Sequence, residues 1–184
     1  DFAASLAAPG GAFQGLIDTR QVGLVGHSVG AKTVMNVGRV SFSRNGGDPY
    51  DPRVKAGIPM AMAETTLFMN ASEARLPILF WIGSKDKYRP LPDMEEIYQA
   101  MPAEQKSLMV LVDGGHDIFL DPAMAVIQPS LNRGTQDGYR AQDLINHFTT
   151  AFLLDVLKGD KEAHKALLPE AVKCAEIQCT TTWK

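Results

Sequence analysis

The chain is short of the features that would assign it quickly to a class. Its 184 residues contain no apolar stretch approaching the roughly 18 residues that a membrane-spanning helix needs. A formal net charge of −3 with no basic run excludes the electrostatic footprint of a nucleic-acid-binding surface. The opening Asp1-Phe2-Ala3-Ala4 has no basic segment leading into an apolar one, so no signal peptide is visible. Repeats and low-complexity segments are absent. Only two cysteines occur, Cys174 and Cys179, with no histidine beside them and no second pair, which excludes a zinc site of the usual spacing. Read as a pair, they suggest a small disulfide loop and hence a secreted or periplasmic protein; read separately, they are two unrelated thiols.

What is present is an ordinary globular composition, 45% hydrophobic and 21% charged, enough for one domain with a core. Apolar runs alternate with helical spacing, the signature of parallel βα units. Val22–Val25 reads as a fully buried strand, and about Val29 to Val40 as a helix with Val34, Met35 and Val37 inward. Arg53–Met60 and Leu108–Val112 read as strands, and Pro77–Gly83 as one buried on both faces. Asp93–Met101 and Ala141–Lys158 read as helices, the second closed by Gly159. Residues 117–140 show no period and read as a long loop. Four strands make a thin sheet whose outer strand needs a neighbour. The chain is therefore expected to be a domain lacking its N-terminal strands, completed by an upstream segment or a second chain.

The chemistry centres on Gly26-His27-Ser28-Val29-Gly30, a G-x-S-x-G placed between a strand and a helix. Such a turn strains the serine backbone and exposes its hydroxyl, while flanking glycines allow close approach. The helix start directs backbone N–H groups at developing negative charge, with Val29 supplying one oxyanion donor. A serine needs a base. Of four histidines, His116 follows a strand and a Gly-Gly pair at the sheet edge where ligands bind in parallel sheets. His27 is expected to point away into packing, and His147 and His164 to be structural or solvent-facing. Asp86, at the same sheet edge after Pro77–Gly83, is the acid that would orient His116; Glu64 is the other candidate. Met60, Met62, Leu67 and Phe68 are candidates for lining the substrate pocket, or alternatively for the core.

Two other readings compete. Gly26 to Thr33 nearly matches G-x-x-x-x-G-K-[ST], a phosphate-binding loop, except that Ala31 stands where glycine is needed. A hydrolase fold that has lost its chemistry and serves as an interaction domain is the third.

Asp18 to Gly30, with Asp51-Pro52-Arg53-Val54-Lys55-Ala56, Pro77 through Asp86, Gly114-Gly115-His116 with Phe119-Leu120-Asp121, and Phe152 through Asp160, resembles dienelactone-hydrolase-like and platelet-activating-factor-acetylhydrolase-like esterases. The resemblance spans about residues 18–160. It implies an α/β-hydrolase fold, a mostly parallel sheet flanked by helices, and a triad of Ser28, Asp86 and His116 cleaving a small-molecule or polymeric ester. It implies no metal or organic cofactor. The family's sheet has strands before the nucleophile, and a loop there supplies the second oxyanion donor.

Overall fold

A computed structural model describes residues 2–37, 51–62 and 75–184. After a short helix α1 (Phe2–Ala7), the chain alternates β1 (Val22–His27), α2 (Val29–Val37), β2 (Val54–Met60), β3 (Ile78–Gly83), α3 (Leu91–Ala100) and β4 (Lys106–Leu111). A 3₁₀ turn (His116–Phe119), α4 (Met124–Ile127), α5 (Gly138–Lys158), α6 (Lys161–Ala166) and β5 (Ile177–Thr181) complete it. The strands form one sheet in the order β1-β2-β3-β4-β5. The first four are parallel, and β5 runs antiparallel to β4.

Alternation along the strands explains the two cores. Leu79 and Trp81 of β3 join Met109, Phe148 and Phe152 in a cluster under α5. Ile78, Phe80 and Ile82 point the other way, towards Met35 of α2 and Met94 and Tyr98 of α3. A strand covered on both faces must be apolar at every position, which is why β3 lacks polar alternation. At α5 the long amphipathic helix starts three residues earlier than its apolar spacing suggests. Asp137 caps it, its carboxylate accepting from the Arg140 N–H at 2.7 Å. Gly159 ends it in the left-handed conformation at φ 66°.

Three expectations need correction. A fifth strand exists: Ile177-Gln178-Cys179-Thr180-Thr181 alternates apolar and polar residues, and Ile177 packs under α5. It covers the outer edge of β4. The segment 117–140 is not structureless, since it holds the 3₁₀ turn and α4. And β1 is not fully buried: Val25 is 53% exposed, because among the described residues nothing pairs with the far side of β1. An open groove of about 820 Å³ runs beside it, lined in part by Val22, Leu24, Val34 and Val37.

The cysteines form no bridge. Both are free thiols packed against the α5 core. Cys179 is committed to β5, opposite Met109, and burial pushes its thiol up to about 11. The argument from a disulfide to an oxidising compartment therefore falls. No helix among the described residues is long and apolar enough to cross a membrane.

Candidate active site

Three parallel strands end at one edge of the sheet, and each is followed by a loop carrying one polar group. Ser28 sits between β1 and α2 with φ 56°, a left-handed conformation that costs a non-glycine residue free energy. Its N–H donates to the Met60 carbonyl at 2.9 Å, tying the turn to the end of β2. A Cβ at Gly26 would collide with the Gly30 backbone, so glycine is required there. Gly30 differs from expectation, since a Cβ there would meet nothing among the described residues; it borders the open groove beside β1.

Asp86 and His116 reach this turn from β3 and β4. The loops after these strands lie so close that a Cβ at Gly83 would collide with the Gly114 carbonyl. His116 Nδ1 lies 2.9 Å from Asp86 Oδ2, and its Nε2 lies 3.0 Å from Ser28 Oγ. An ionised carboxylate only accepts, so Nδ1 carries the proton and Nε2 is left to accept from the serine hydroxyl. The Asp86 side chain is fully buried. Burial raises its pKa, but the hydrogen bonds from His116 and from the Tyr88 and Arg89 backbone N–H groups outweigh this and hold it below the usual carboxylate range. Asp86 Oδ1 accepts from those two N–H groups at 2.8 and 3.0 Å.

Two further residues, Asn132 and His27, hold His116 in place. Asn132 Oδ1 accepts from the His116 N–H and from the Lys87 N–H, both at 3.0 Å, clasping the loop after β4 to the loop after β3. Nothing in the sequence marks Asn132, because its position relative to His116 is set by the fold of 117–140. His27, expected to point away, instead turns towards the site. Its Nε2–H donates to the His116 carbonyl at 2.8 Å, and the two rings are 4.9 Å apart. Burial lowers its pKa, so the ring stays neutral near pH 7. Tyr88 packs edge-on against the His116 ring at 4.7 Å while remaining 63% exposed.

The other candidate residues fall in different places. Val29 opens α2 beside Ser28 and is 70% exposed. Met60 and Met62 are buried on opposite faces of the sheet, in the α5 cluster and the α2–α3 cluster respectively, and packing accounts for both. Leu67, Phe68 and the alternative acid Glu64 lie outside the described residues. His147 is exposed on α5 against Phe148, and His164 pairs with Asp155 far along the chain from the triad. The phosphate-loop reading loses its loop: α2 begins at Val29, so Ala31 and Lys32 are already helical and too few residues remain to wrap a phosphate.

His27, His116 and Asp117 also bring potential metal-ligand atoms within 4.8 Å of one another. Both nitrogens of His116 are already engaged by Ser28 and Asp86, and His27 Nε2 by a carbonyl.

No curated protein matches the chain. The family model for platelet-activating factor acetylhydrolase, isoform II, matches residues 11–169, a span that includes the nucleophile turn, Asp86, His116 and Asn132. With its mostly parallel sheet flanked by helices, the chain belongs to this family of lipase- and esterase-like serine hydrolases in the α/β-hydrolase superfamily.

Proposed function

We propose that the protein hydrolyses carboxylic esters by two-step acyl transfer through Ser28. The observation that carries this reading is the unbroken relay from Asp86 Oδ2 through His116 to Ser28 Oγ, at 2.9 and 3.0 Å. His116 Nε2 takes the hydroxyl proton as Ser28 Oγ bonds to the ester carbonyl carbon. Collapse of the tetrahedral intermediate breaks the bond to the alkoxide oxygen, which receives the proton from Nε2 and leaves as the alcohol. Water, deprotonated by His116, then attacks the acyl-enzyme and releases the acid and free Ser28. Asp86 keeps Nδ1 protonated throughout and stabilises the transient imidazolium.

The Val29 N–H, at the start of α2, is one oxyanion donor in this scheme. A second donor is assigned to a segment laid along the edge of β1 that nothing among the described residues pairs with. Lacking one donor typically costs about 10²–10³ in turnover. Chemistry in the 184-residue chain alone at the ordinary rate of a serine esterase would remove the need for any such completion.

The test is intact mass after exposure to a fluorophosphonate. One adduct mapping to Ser28, absent from Ser28→Ala, is the expected result. Labelling that persists in Ser28→Ala would overturn the assignment of the nucleophile.

A further inference from the structure

Among the described residues, Tyr88 is the one large aromatic that touches the His116 ring and stays mostly open to solvent. It lies two residues after Asp86, and its own N–H donates to Asp86 Oδ1 at 2.8 Å. The backbone that carries the ring is thereby anchored to the acid that orients His116. The ring meets the imidazole edge-on, with centroids 4.7 Å apart and planes at 72°, an arrangement favoured by the ring quadrupoles. A tyrosine needed only for packing would be expected to bury its ring, as Tyr98 does at 3% exposure. Here 63% of the residue remains accessible beside a reactive group.

The direction of proton flow says which part of an ester meets it. In acyl transfer through Ser28, His116 Nε2 must deliver its proton to the departing alcohol oxygen, so the alcohol portion leaves alongside the imidazole. The acyl portion is held at Ser28 and the start of α2. An aromatic ring that stands beside the imidazole and open to solvent is available to that alcohol portion.

We propose that Tyr88 forms the wall of the leaving-group subsite and biases the enzyme towards esters whose alcohol carries an aromatic ring. The wall stacks on that ring and contributes little to a small aliphatic alcohol. This inference rests on the acyl-transfer reading above, and its test separates the two.

Benzyl butanoate and ethyl butanoate share an acyl group and differ only in the alcohol. Tyr88→Ala is expected to lower the benzyl-to-ethyl ratio of kcat/KM about five- to tenfold, mainly through a higher KM for the benzyl ester. Tyr88→Phe, which keeps the ring, is expected to retain the wild-type ratio, and Tyr88→Leu to fall between the two. A ratio unchanged in Tyr88→Ala would overturn the proposal, and an equal fall in kcat for both esters would show that Tyr88 acts only through His116. Fluorophosphonate labelling of each variant at Ser28 identifies the source of a failure. A wild type that labels while the ratio stays flat sinks the subsite alone; a wild type that neither labels nor cleaves either ester sinks both readings.

Discussion

Two histidine–aspartate pairs of almost equal length occur among the described residues, and what faces the second nitrogen sets them apart. His116 Nδ1 lies 2.9 Å from Asp86, and His164 Nδ1 lies 3.0 Å from Asp155. At His116 the other nitrogen meets the Ser28 hydroxyl, which can donate. At His164 it meets the Lys184 carbonyl at 3.0 Å, which can only accept. A neutral His116 satisfies both of its partners. His164 satisfies both only as the imidazolium, and the Lys184 carbonyl followed by the Asp155 carboxylate raises its pKa accordingly. Asp155 also accepts from Trp183 Nε1 at 2.8 Å, so this second pair pins the C-terminal segment to α5 and α6. A carboxylate beside a histidine thus leaves the partner of the far nitrogen to decide which protonation state satisfies both hydrogen bonds.

Replacing the two aspartates is the sharpest way to break the comparison. Asp86→Asn is expected to lower kcat about 10⁴-fold, by losing the tautomer that leaves Nε2 free to accept. Asp155→Asn is expected to leave ester turnover within a few-fold of wild type and to destabilise the fold by about 1–3 kcal/mol, because two hydrogen bonds to a carboxylate weaken. Steady-state kinetics beside urea unfolding measures both. Comparable losses of turnover in the two variants would mean that the pairs are not functionally distinct.

Asn132 sharpens the contrast, since only the His116 pair has a clasp joining the base loop to the acid loop. Asn132→Ala is expected to lower kcat by about 10–100-fold with little change in KM, the signature of a misplaced base. Asn132→Asp keeps an acceptor and should recover part of the rate. A rise in KM with kcat intact would place Asn132 at the substrate instead.

The smallest expected effect is the pH dependence of stability. Because the folded-state pKa of His164 is raised, its contribution is fully present below the unfolded value of about 6.5 and is lost as pH rises through the folded pKa. His27 works in the opposite sense: its lowered pKa makes its contribution fade as pH falls. Urea midpoints of His164→Gln and wild type should therefore converge as pH rises above 6.5 and separate below it. Parallel curves across that range would show that His164 is not held as the cation.

Much of this was legible in residue order. The positive φ at Ser28, the glycine at 26 and the strand–turn–helix context are consequences of five consecutive residues. The apolar run of β3 and the amphipathic spacing of α5 likewise placed those elements to within a few residues. Asp86 and His116 could be nominated because loops after parallel strands gather at one edge. What was missed shares a cause. The neighbours of His27 in sequence point to packing, but its partner is the carbonyl of a residue 89 positions away. A five-residue amphipathic strand such as β5 is a weak signal until β4 is there to pair with it. Met60 and Met62 carry the same side chain two residues apart, yet they are buried on opposite faces, since the chain passes from β2 into a left-handed Ala61 between them.

By itself, then, the sequence determined what short-range sterics and periodicity can determine: a strained serine between a strand and a helix, and the order of Ser28, Asp86 and His116 along the chain. Only the tertiary structure decided that Ser28 and His116 meet across 88 residues and Asp86 and His116 across 30. It also decided which histidine faces a hydroxyl and which a carbonyl. The reason is that such meetings come from loop closure and the packing of both faces of the sheet, which bring together groups that are distant along the chain.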